Sequence, residues 1–213
     1  MRKFLLTFAA ILAFNHVFAY ISQSNWRWRN DDGNETTATW RAAQNEPILI
    51  SSADSTIRLR IQFDNTTGSD KGMNSNLQYA TSVDGPWRYI TRLEGNNAFV
   101  YTNKNDYLAD QSSTSQQITG SPNTYQSGKA FFKTDQFGYT LLNNGTTELE
   151  YFLKPTSNID TGTIYYFRVP GNDYSKGYPA LKTSATIATK SKLITNGGFE
   201  SGLGDWTTTI TEA

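Results

Sequence analysis

The 213-residue chain contains no cysteine, and its only histidine is His16. Beyond residue 19 there is therefore neither a thiol nor an imidazole side chain. This absence excludes Ser-His-Asp triads, Cys-His nucleophiles, zinc sites built from His or Cys, and haem ligation by those residues. It also excludes disulfides, so the fold must depend on a hydrophobic core, which a chain of this length can bury.

Residues 1–19 have the pattern of a secretory signal peptide. Arg2 and Lys3 precede the apolar run Phe4–Phe14, and small residues typical of a cleavage site stand before Tyr20. The apolar run is too short to span a bilayer, so we expect cleavage, a secreted or cell-surface location and no membrane insertion. Removing the two basic residues from 19 Lys and Arg leaves 17 against 19 Asp and Glu, which does not favour a nucleic-acid partner.

The segment Thr147–Val169 predicts two strands joined by a corner. Apolar and polar side chains alternate in Glu148–Leu153 and again in Thr163–Val169, which is the period of half-buried antiparallel strands. The residues between them, Pro155–Gly162, are rich in Pro, Ser, Asn, Asp and Gly and predict a turn. Tyr165 opens the second strand, where β-sandwiches often tie a tyrosine hydroxyl back to the corner, so we predict a buried structural role for it.

The most regular alternation in the chain is Thr56–Asp64, in which Arg58 and Arg60 share the outward face. Glu148 and Glu150 share the outward face of the strand before the corner. We expect the two strands to be neighbours, with these opposite charges facing each other across the exposed side of one sheet. Such exposed pairs contribute a few tenths to about 1 kcal/mol each and help to fix the strand register.

Two aromatic residues, Trp26 and Trp28, share one face of the predicted strand Ser22–Asn30. They could form a platform for a sugar ring, or they could pack in the core. The core interpretation is favoured because aromatic residues on strands usually face inward.

The acidic turn after this strand contains Asp31, Asp32, Asn34 and Glu35. These oxygen ligands could hold calcium, but they lack the spacing of the twelve-residue calcium loop. A solvated turn is the favoured interpretation.

The longest irregular region is Asn96–Gly128, which is poor in hydrophobic residues and rich in Asn, Ser, Thr and Gln. Tyr101, Tyr107 and Tyr125 lie within it and could form a contact surface, because tyrosines in Ser/Asn-rich loops provide rigid amphipathic contacts. A mobile, linker-like loop is the alternative.

Several motifs carry a resemblance to a known kind of domain. In chain order they are WRWRNDDG, ATW, IRLRIQFDN, LQYA…GPW and TELEYFLKPTSN…TGTIYYFRV. Together they resemble a fibronectin type III/immunoglobulin-like domain of multidomain bacterial secreted and cell-surface proteins. The resemblance implies an all-β fold, with an antiparallel sandwich over residues 20–190. Such domains stand beside adhesive, lectin-like or enzymatic modules and have no known catalytic role.

A second, shorter motif is LITNGGFESGLGDW at Leu193–Trp206. It resembles the opening of a carbohydrate-binding jelly roll of the family 4/9 type, in which Glu200 would help to hold a structural calcium. Only about twenty residues of a module that needs roughly a hundred are present. The resemblance therefore implies that residues 191–213 are a linker and the first strand of an incomplete, truncated second β-domain, without sugar binding of their own.

These observations predict a non-catalytic module, not an enzyme, that acts as a spacer or adhesive scaffold next to a carbohydrate-binding region. The expected partner is a polysaccharide or a cell-surface glycan, and no cofactor is expected apart from that structural calcium. One alternative is the accessory region of a secreted polysaccharide hydrolase or peptidase whose catalytic domain lies beyond Ala213. Another is a self-assembling filament subunit that exchanges a strand at a sheet edge. No pair of carboxylates has the spacing that would indicate a glycosidase site.

Overall fold

The computed structural model describes residues 20–53, 55–133 and 137–188, and within these ranges the chain forms thirteen strands and no helix. The strands are β1 (Ser22–Asn30), β2 (Ile48–Ser52), β3 (Ile57–Asp64), β4 (Lys71–Asn74), β5 (Gln78–Ala80), β6 (Arg88–Tyr89), β7 (Phe99–Tyr101), β8 (Thr124–Tyr125), β9 (Ala130–Phe131), β10 (Gly138–Leu141), β11 (Gly145–Pro155), β12 (Ile164–Arg168) and β13 (Ala180–Ala188). Since there is no helix in these ranges, there is also none that could cross a membrane. The predicted leader and the predicted jelly-roll opening, with Glu200, lie outside the described residues.

The strands form two large sheets and one small one. The first sheet has the order β1-β3-β11-β7. β8 and β9 pair in parallel with β11, on the side of β11 away from β3. The second sheet has the order β2-β13-β12-β5-β6, and β4 pairs with β10 separately. This order is that of an immunoglobulin-like sandwich, with its ABED sheet and its GFC sheet. The predicted all-β sandwich is therefore confirmed.

The inner faces of the two sheets meet in an aromatic core. The ring of Trp28 on β1 contacts the edge of Phe167 on β12, with centroids 5.3 Å apart. Phe99 on β7 contacts Phe167 at 5.1 Å and Tyr165 at 5.0 Å. Trp26 and Trp28 are both buried in this core cluster. Edge-to-face pairs of this kind add stability beyond the area they bury, which helps a chain without disulfides.

The corner between β11 and β12 carries the chain from the first sheet to the second. The Tyr165 ring is 1% exposed, and its hydroxyl accepts a hydrogen bond from the Asp160 amide at 2.8 Å. The same hydroxyl lies 3.2 Å from Asp160 Oδ2. Gly162, which has a φ of 64°, completes the turn in the left-handed region that favours glycine. This is the tie between tyrosine and corner backbone that the sequence pattern predicts.

The chain enters and leaves the sandwich at opposite ends. The start of β1 is bonded to the loop between β12 and β13, where Gln23 donates to the Asp173 carbonyl at 2.9 Å. From that loop β13 runs the length of the second sheet to Ala188, in parallel with β2. Between Thr183 and Ala188 the register shifts, so that this part of β13 advances only from Ile50 to Ser52 along β2. The two ends of the described sandwich therefore lie at opposite ends of the second sheet.

Candidate functional site

The outer face of the first sheet is covered by protein. Two covering segments, residues 31–38 and 105–118, lie over it and bond to its charged side chains. Arg58, Arg60, Glu148 and Glu150 share this face, as predicted, and Arg60 stands directly opposite Glu150 in the register of β3 and β11. Their expected exposure is wrong, because all four are 0% exposed under the covering segments.

The carboxylate of Glu150 lies at the centre of this buried network. Its Oε2 accepts from Arg29 Nη1 at 3.2 Å and lies 3.2 Å from Arg60 Nη1. Its Oε1 lies 3.6 Å from Arg58 Nη1. One buried carboxylate therefore serves three buried guanidinium groups, and further acidic partners are needed to balance their charge.

Those partners come from the neighbouring strand position and from the first covering segment. Glu148 lies 2.7 Å from Arg60 Nε and accepts the backbone amides of Gln117 and Ile118 at 2.9 and 2.8 Å. Glu35 pairs with Arg60, and Asp31 pairs with Arg58. Three fully buried arginines thus meet four carboxylates, of which Glu148 and Glu150 are fully buried while Asp31 and Glu35 remain partly exposed.

Two of the three glutamates in the network have pKa values that are shifted in opposite directions. Burial raises the pKa of Glu148, and its attraction to Arg60 does not cancel that effect. Burial would also raise the pKa of Glu35, but hydrogen bonds from the Ser115 amide and Arg60 hold that pKa below its ordinary value. Both carboxylates are therefore bound by hydrogen bonds and ion pairs within the fold.

The acidic turn therefore supplies counter-ions to the arginines. Asp31 also accepts from Asn105 in the second covering segment, at 2.8 Å. Asp32 accepts from Thr39, and Asn34 accepts from Thr36 within its own turn. Within the described ranges, no group of three or more His, Cys, Asp or Glu side chains is placed to hold a metal ion.

The three tyrosines of the predicted contact surface do not lie together. Tyr101 cannot serve in such a surface, because it pairs with Leu153 in the first sheet and is 1% exposed in the core. Tyr107 is exposed on the second covering segment. Tyr125 lies half-buried on β8, with its hydroxyl 3.0 Å from Thr114 Oγ1, and burial raises its pKa to about 12.

The outer face of the second sheet carries aromatic and cationic side chains. Ile164, Tyr166 and Arg168 alternate with the core residues Tyr165 and Phe167 on β12, so they point away from the core. Ile164 stands next to Lys182 of β13 in the register, and Leu49 of β2 follows on the other side of Lys182. Leu49 is 63% exposed and Ile164 37% exposed, so this end of the face is open to solvent.

At the other end of this face, three aromatic rings lie together and two of them contact one arginine. We name Trp87, Arg168, Tyr174 and Tyr178 the aromatic-arginine cluster; all four side chains are half-buried. Tyr178 stacks on Tyr174 with centroids 5.1 Å apart and lies 5.4 Å from Trp87. The Arg168 guanidinium carbon lies 4.1 Å from the Trp87 ring and 5.8 Å from the Tyr174 ring.

Arg168 differs from the arginines of the buried network. Its Nε donates to Gln78 Oε1 at 2.9 Å, and its guanidinium plane is held against Trp87. Among the described residues, no carboxylate lies within ion-pair distance of it. The aromatic-arginine cluster therefore presents a positioned cation without an internal anion.

A cleft of about 220 Å³ lies beside the corner. Tyr79, Arg88, Asn158, Asp160 and Tyr165 are among the residues that line it. Asp160 is its one carboxylate, and that residue is already engaged by the Tyr165 hydroxyl. The cleft does not bring together the two carboxylates that glycoside hydrolysis normally needs.

Sequence reasoning did not find the aromatic-arginine cluster. Trp87 stands about eighty positions before Arg168 in the chain, so no local motif joins them. A signal was available in the alternation of β12, which places Arg168 outward, and in the tyrosines of the loop that follows it. Only the strand register brings Trp87 to the same place. No family model, curated protein or solved structure matches the chain.

Proposed function

We propose that this chain is a non-catalytic module of a secreted or cell-surface protein, which acts as a spacer and contacts extracellular polysaccharide with the outer face of its second sheet. The observation that carries the proposal is the contrast between the two outer faces. The first is covered and its charges are neutralised internally. The second leaves aromatic rings and a positioned cation within reach of solvent.

The state of the acidic residues supports a non-catalytic role. A general acid or base must reach the substrate, and a glycosidase needs two carboxylates across an open cleft. Glu148 and Glu150 have no exposed surface, and each is paired with arginine. Their chemistry is used to hold the covering segments on the first sheet.

The aromatic side chains support a polysaccharide partner. Tyrosine and tryptophan combine an apolar ring with a polar edge, and a sugar ring has the same mixed character on its faces and rim. The stacked Tyr174–Tyr178 pair and Trp87 are held by one another, so little side-chain entropy is lost on binding. This location differs from both the predicted tyrosine loop and the predicted jelly-roll opening.

Binding and hydrolysis assays on one protein sample test the proposal. The protein would be incubated with a panel of neutral and acidic polysaccharides, and both retention on the polymer and release of reducing sugar would be measured. We expect retention without release. We expect Trp87→Ala to abolish retention, because it removes the ring on which Arg168 stacks.

A matched control is Trp40→Ala. Trp40 also stacks on an arginine, with the Arg27 guanidinium carbon 4.4 Å from its ring, but it lies beside the edge of the first sheet. Retention should survive this change. Sugar release that a single Asp or Glu substitution abolishes would refute the non-catalytic role, and equal loss in both tryptophan variants would refute the assigned face.

A further inference from the structure

Resting on the proposed function, we infer that the polysaccharide is acidic, and that Arg168 of the aromatic-arginine cluster binds a carboxylate carried by its sugar rings. The proposal concerns the charge of the partner, which the proposed function leaves open. Three observations support it: the fixed orientation of the guanidinium, the positive charge of the surrounding strands and the aromatic rings beside the guanidinium.

The guanidinium of Arg168 is prepared to bind an anion. Stacking on Trp87 fixes its plane, and the bond from Nε to Gln78 fixes its rotation. The two terminal nitrogens, Nη1 and Nη2, make no hydrogen bond to any described residue. These nitrogens form the planar fork that matches the two oxygens of a carboxylate. Because the fork is already oriented, binding would cost little conformational entropy.

The strands of the second sheet contain cations and no anions. Arg168 and Lys182 lie on the outer face, whereas Arg88 stands opposite Tyr79 in the register and shares the other face. None of β2, β5, β6, β12 and β13 contains Asp or Glu. Asp173, in the adjoining loop, is engaged by the amide and hydroxyl of Ser175. Like charges on one sheet repel each other, and an anionic partner relieves that repulsion.

The rings beside the guanidinium favour an acidic sugar polymer over a small anion. A free phosphate or carboxylate would use the fork and leave Trp87 and the tyrosine pair without contact. A uronic acid unit carries a sugar ring and a carboxylate a few ångströms apart, as the cluster holds half-buried aromatic rings and a guanidinium side by side. A polymer would extend the same contact toward Lys182 and the exposed Leu49.

The test compares two forms of one polymer. Polygalacturonate and its fully methyl-esterified form share a backbone, but only the first carries free carboxylates. Binding of each to the full chain would be measured by calorimetry at low and at moderate ionic strength. We expect the acidic form to bind at least tenfold more tightly, with affinity falling as salt screens the charges.

Substitutions then locate the contact. Arg168→Gln should weaken binding of polygalacturonate about tenfold or more, and Arg168→Lys should recover only part of the loss because a lysine lacks the fork. Arg27→Gln is the matched control, since Arg27 also stacks on a tryptophan and donates its Nε, to the Ala42 carbonyl at 2.8 Å. Lys182→Gln, on an exposed position of β13, provides a further variant that leaves the core untouched.

The possible outcomes separate a failure of this inference from a failure of the proposed function. Equal binding of both polymer forms, lost in Trp87→Ala and kept in Arg168→Gln, would overturn this inference and leave the proposed function intact. Binding to neither form nor to any other polysaccharide would overturn both. If polyglutamate or single-stranded DNA bound as tightly as polygalacturonate, the face would recognise charge alone, and the assignment to acidic sugars would be wrong.

Discussion

Glu150 is the residue on which the charged face of the first sheet depends. It contacts Arg29, Arg58 and Arg60, and its own side chain has no exposed surface. Transferring such groups from water is costly, and their mutual attraction offsets that cost only while every partner is present. The network therefore makes the fold sensitive to the loss of any one charge.

A first prediction follows for Glu150→Gln. The change should lower the free energy of unfolding by about 3–5 kcal/mol, because it leaves buried guanidinium groups without their shared carboxylate. Urea unfolding followed by tryptophan fluorescence measures it. The control is Asp106→Asn, which breaks the surface pair of Lys104 and Asp106, with side chains 80% and 73% exposed. That change should cost less than about 1 kcal/mol, and a similar cost for both would contradict a buried network.

A second prediction concerns the corner. Tyr165→Phe keeps the ring in the core and removes the hydroxyl that accepts from the Asp160 amide. The free energy of unfolding should fall by about 1 kcal/mol or more, because a backbone donor loses its partner. The same unfolding titration measures it. An unchanged midpoint would show that water replaces the hydroxyl without cost.

A third prediction uses the same tyrosine at high pH. Burial raises the pKa of Tyr165 to about 12, and that of Tyr125 to about 12 as well, from an ordinary value of 10.0. The folded state therefore holds protons that the unfolded chain releases, so stability present below about pH 10 is lost as the pH rises toward 12. Denaturant unfolding at pH 8, 10 and 11 should show this decline. In Tyr165→Phe the decline should be shallower, and an identical slope would contradict the assignment.

The role of Tyr165 could be predicted from sequence, whereas the burial of Arg58 and Arg60 could not. Tyr165 is local to its turn, and the period of two identifies its face. The arginines also have the correct face, but what covers them comes from residues 31–38 and from residues 105–118, far along the chain. Those segments are polar and irregular, so nothing in their composition distinguishes a buried cover from a solvated loop.

Among the elements, the stretch that follows the second covering segment packs closely against β11. After this segment the chain returns along β11 as β8 and β9, and Gly128 lies between these two strands. A Cβ at Gly128 would overlap the Glu148 carbonyl oxygen, whereas one at Gly72 on β4 would meet open space. The stretch around Gly128 thus lies close against the β11 backbone, and the Gly128 carbonyl accepts from the Thr114 amide of the covering segment.

The fourth prediction compares these two glycines. Gly128→Ala should lower the free energy of unfolding by about 1–3 kcal/mol or more, because the backbone must move to admit a methyl group. It should also speed hydrogen exchange in residues 105–118, which a mass-spectrometric measurement resolves. Gly72→Ala should change neither quantity by much. Equal effects would mean that the segment does not pack against β11 in solution.

The edge of β1 is also closed by the chain itself. Asn30 donates to the Thr39 carbonyl at 2.9 Å, and Arg41 and Asn45 donate to the carbonyls of Trp28 and Trp26 at 2.9 Å each. An open edge would offer these groups to another molecule. Pairing them internally leaves this strand little capacity for the strand exchange that a filament subunit requires.

The predicted strands and the missed strands differ in local pattern. Ser22–Asn30 has the bounds expected from sequence, and the ends of β3, β11 and β12 lie within three residues of those expected. β4, β7 and β8 were missed because they are two to four residues long and lie in polar surroundings. Their strand conformation comes from pairing with distant partners, which a single sequence does not reveal.

At the scale of the whole molecule, the two sheets differ in how much of their surface is exposed to solvent. The first is covered on both faces, by the core and by the covering segments, whereas the second is covered on one. Every residue of β3 except Asp64 is buried, while both residues of β6 are exposed. Local stability should follow this difference.

A fifth prediction is the order of native-state hydrogen exchange. Amides of β3 and β11 should exchange slowest, close to the rate set by global unfolding, and those of β6 fastest among the strands. Mass spectrometry of proteolytic peptides after timed exchange measures the order. Exchange in β3 as fast as in β6 would show that the covering segments open freely.

The opposite placement of the chain ends has a mechanical consequence. A force applied at Ser22 and Ala188 acts along the strands, because β1 starts beside the loop that precedes β13, and β13 ends at the opposite end of the sandwich. Where β2 lies in parallel with β13, such a load shears several hydrogen bonds at once and cannot open them one by one. A spacer, the role proposed for this chain, would then transmit tension without unfolding. Its resistance to force would exceed what its equilibrium stability suggests.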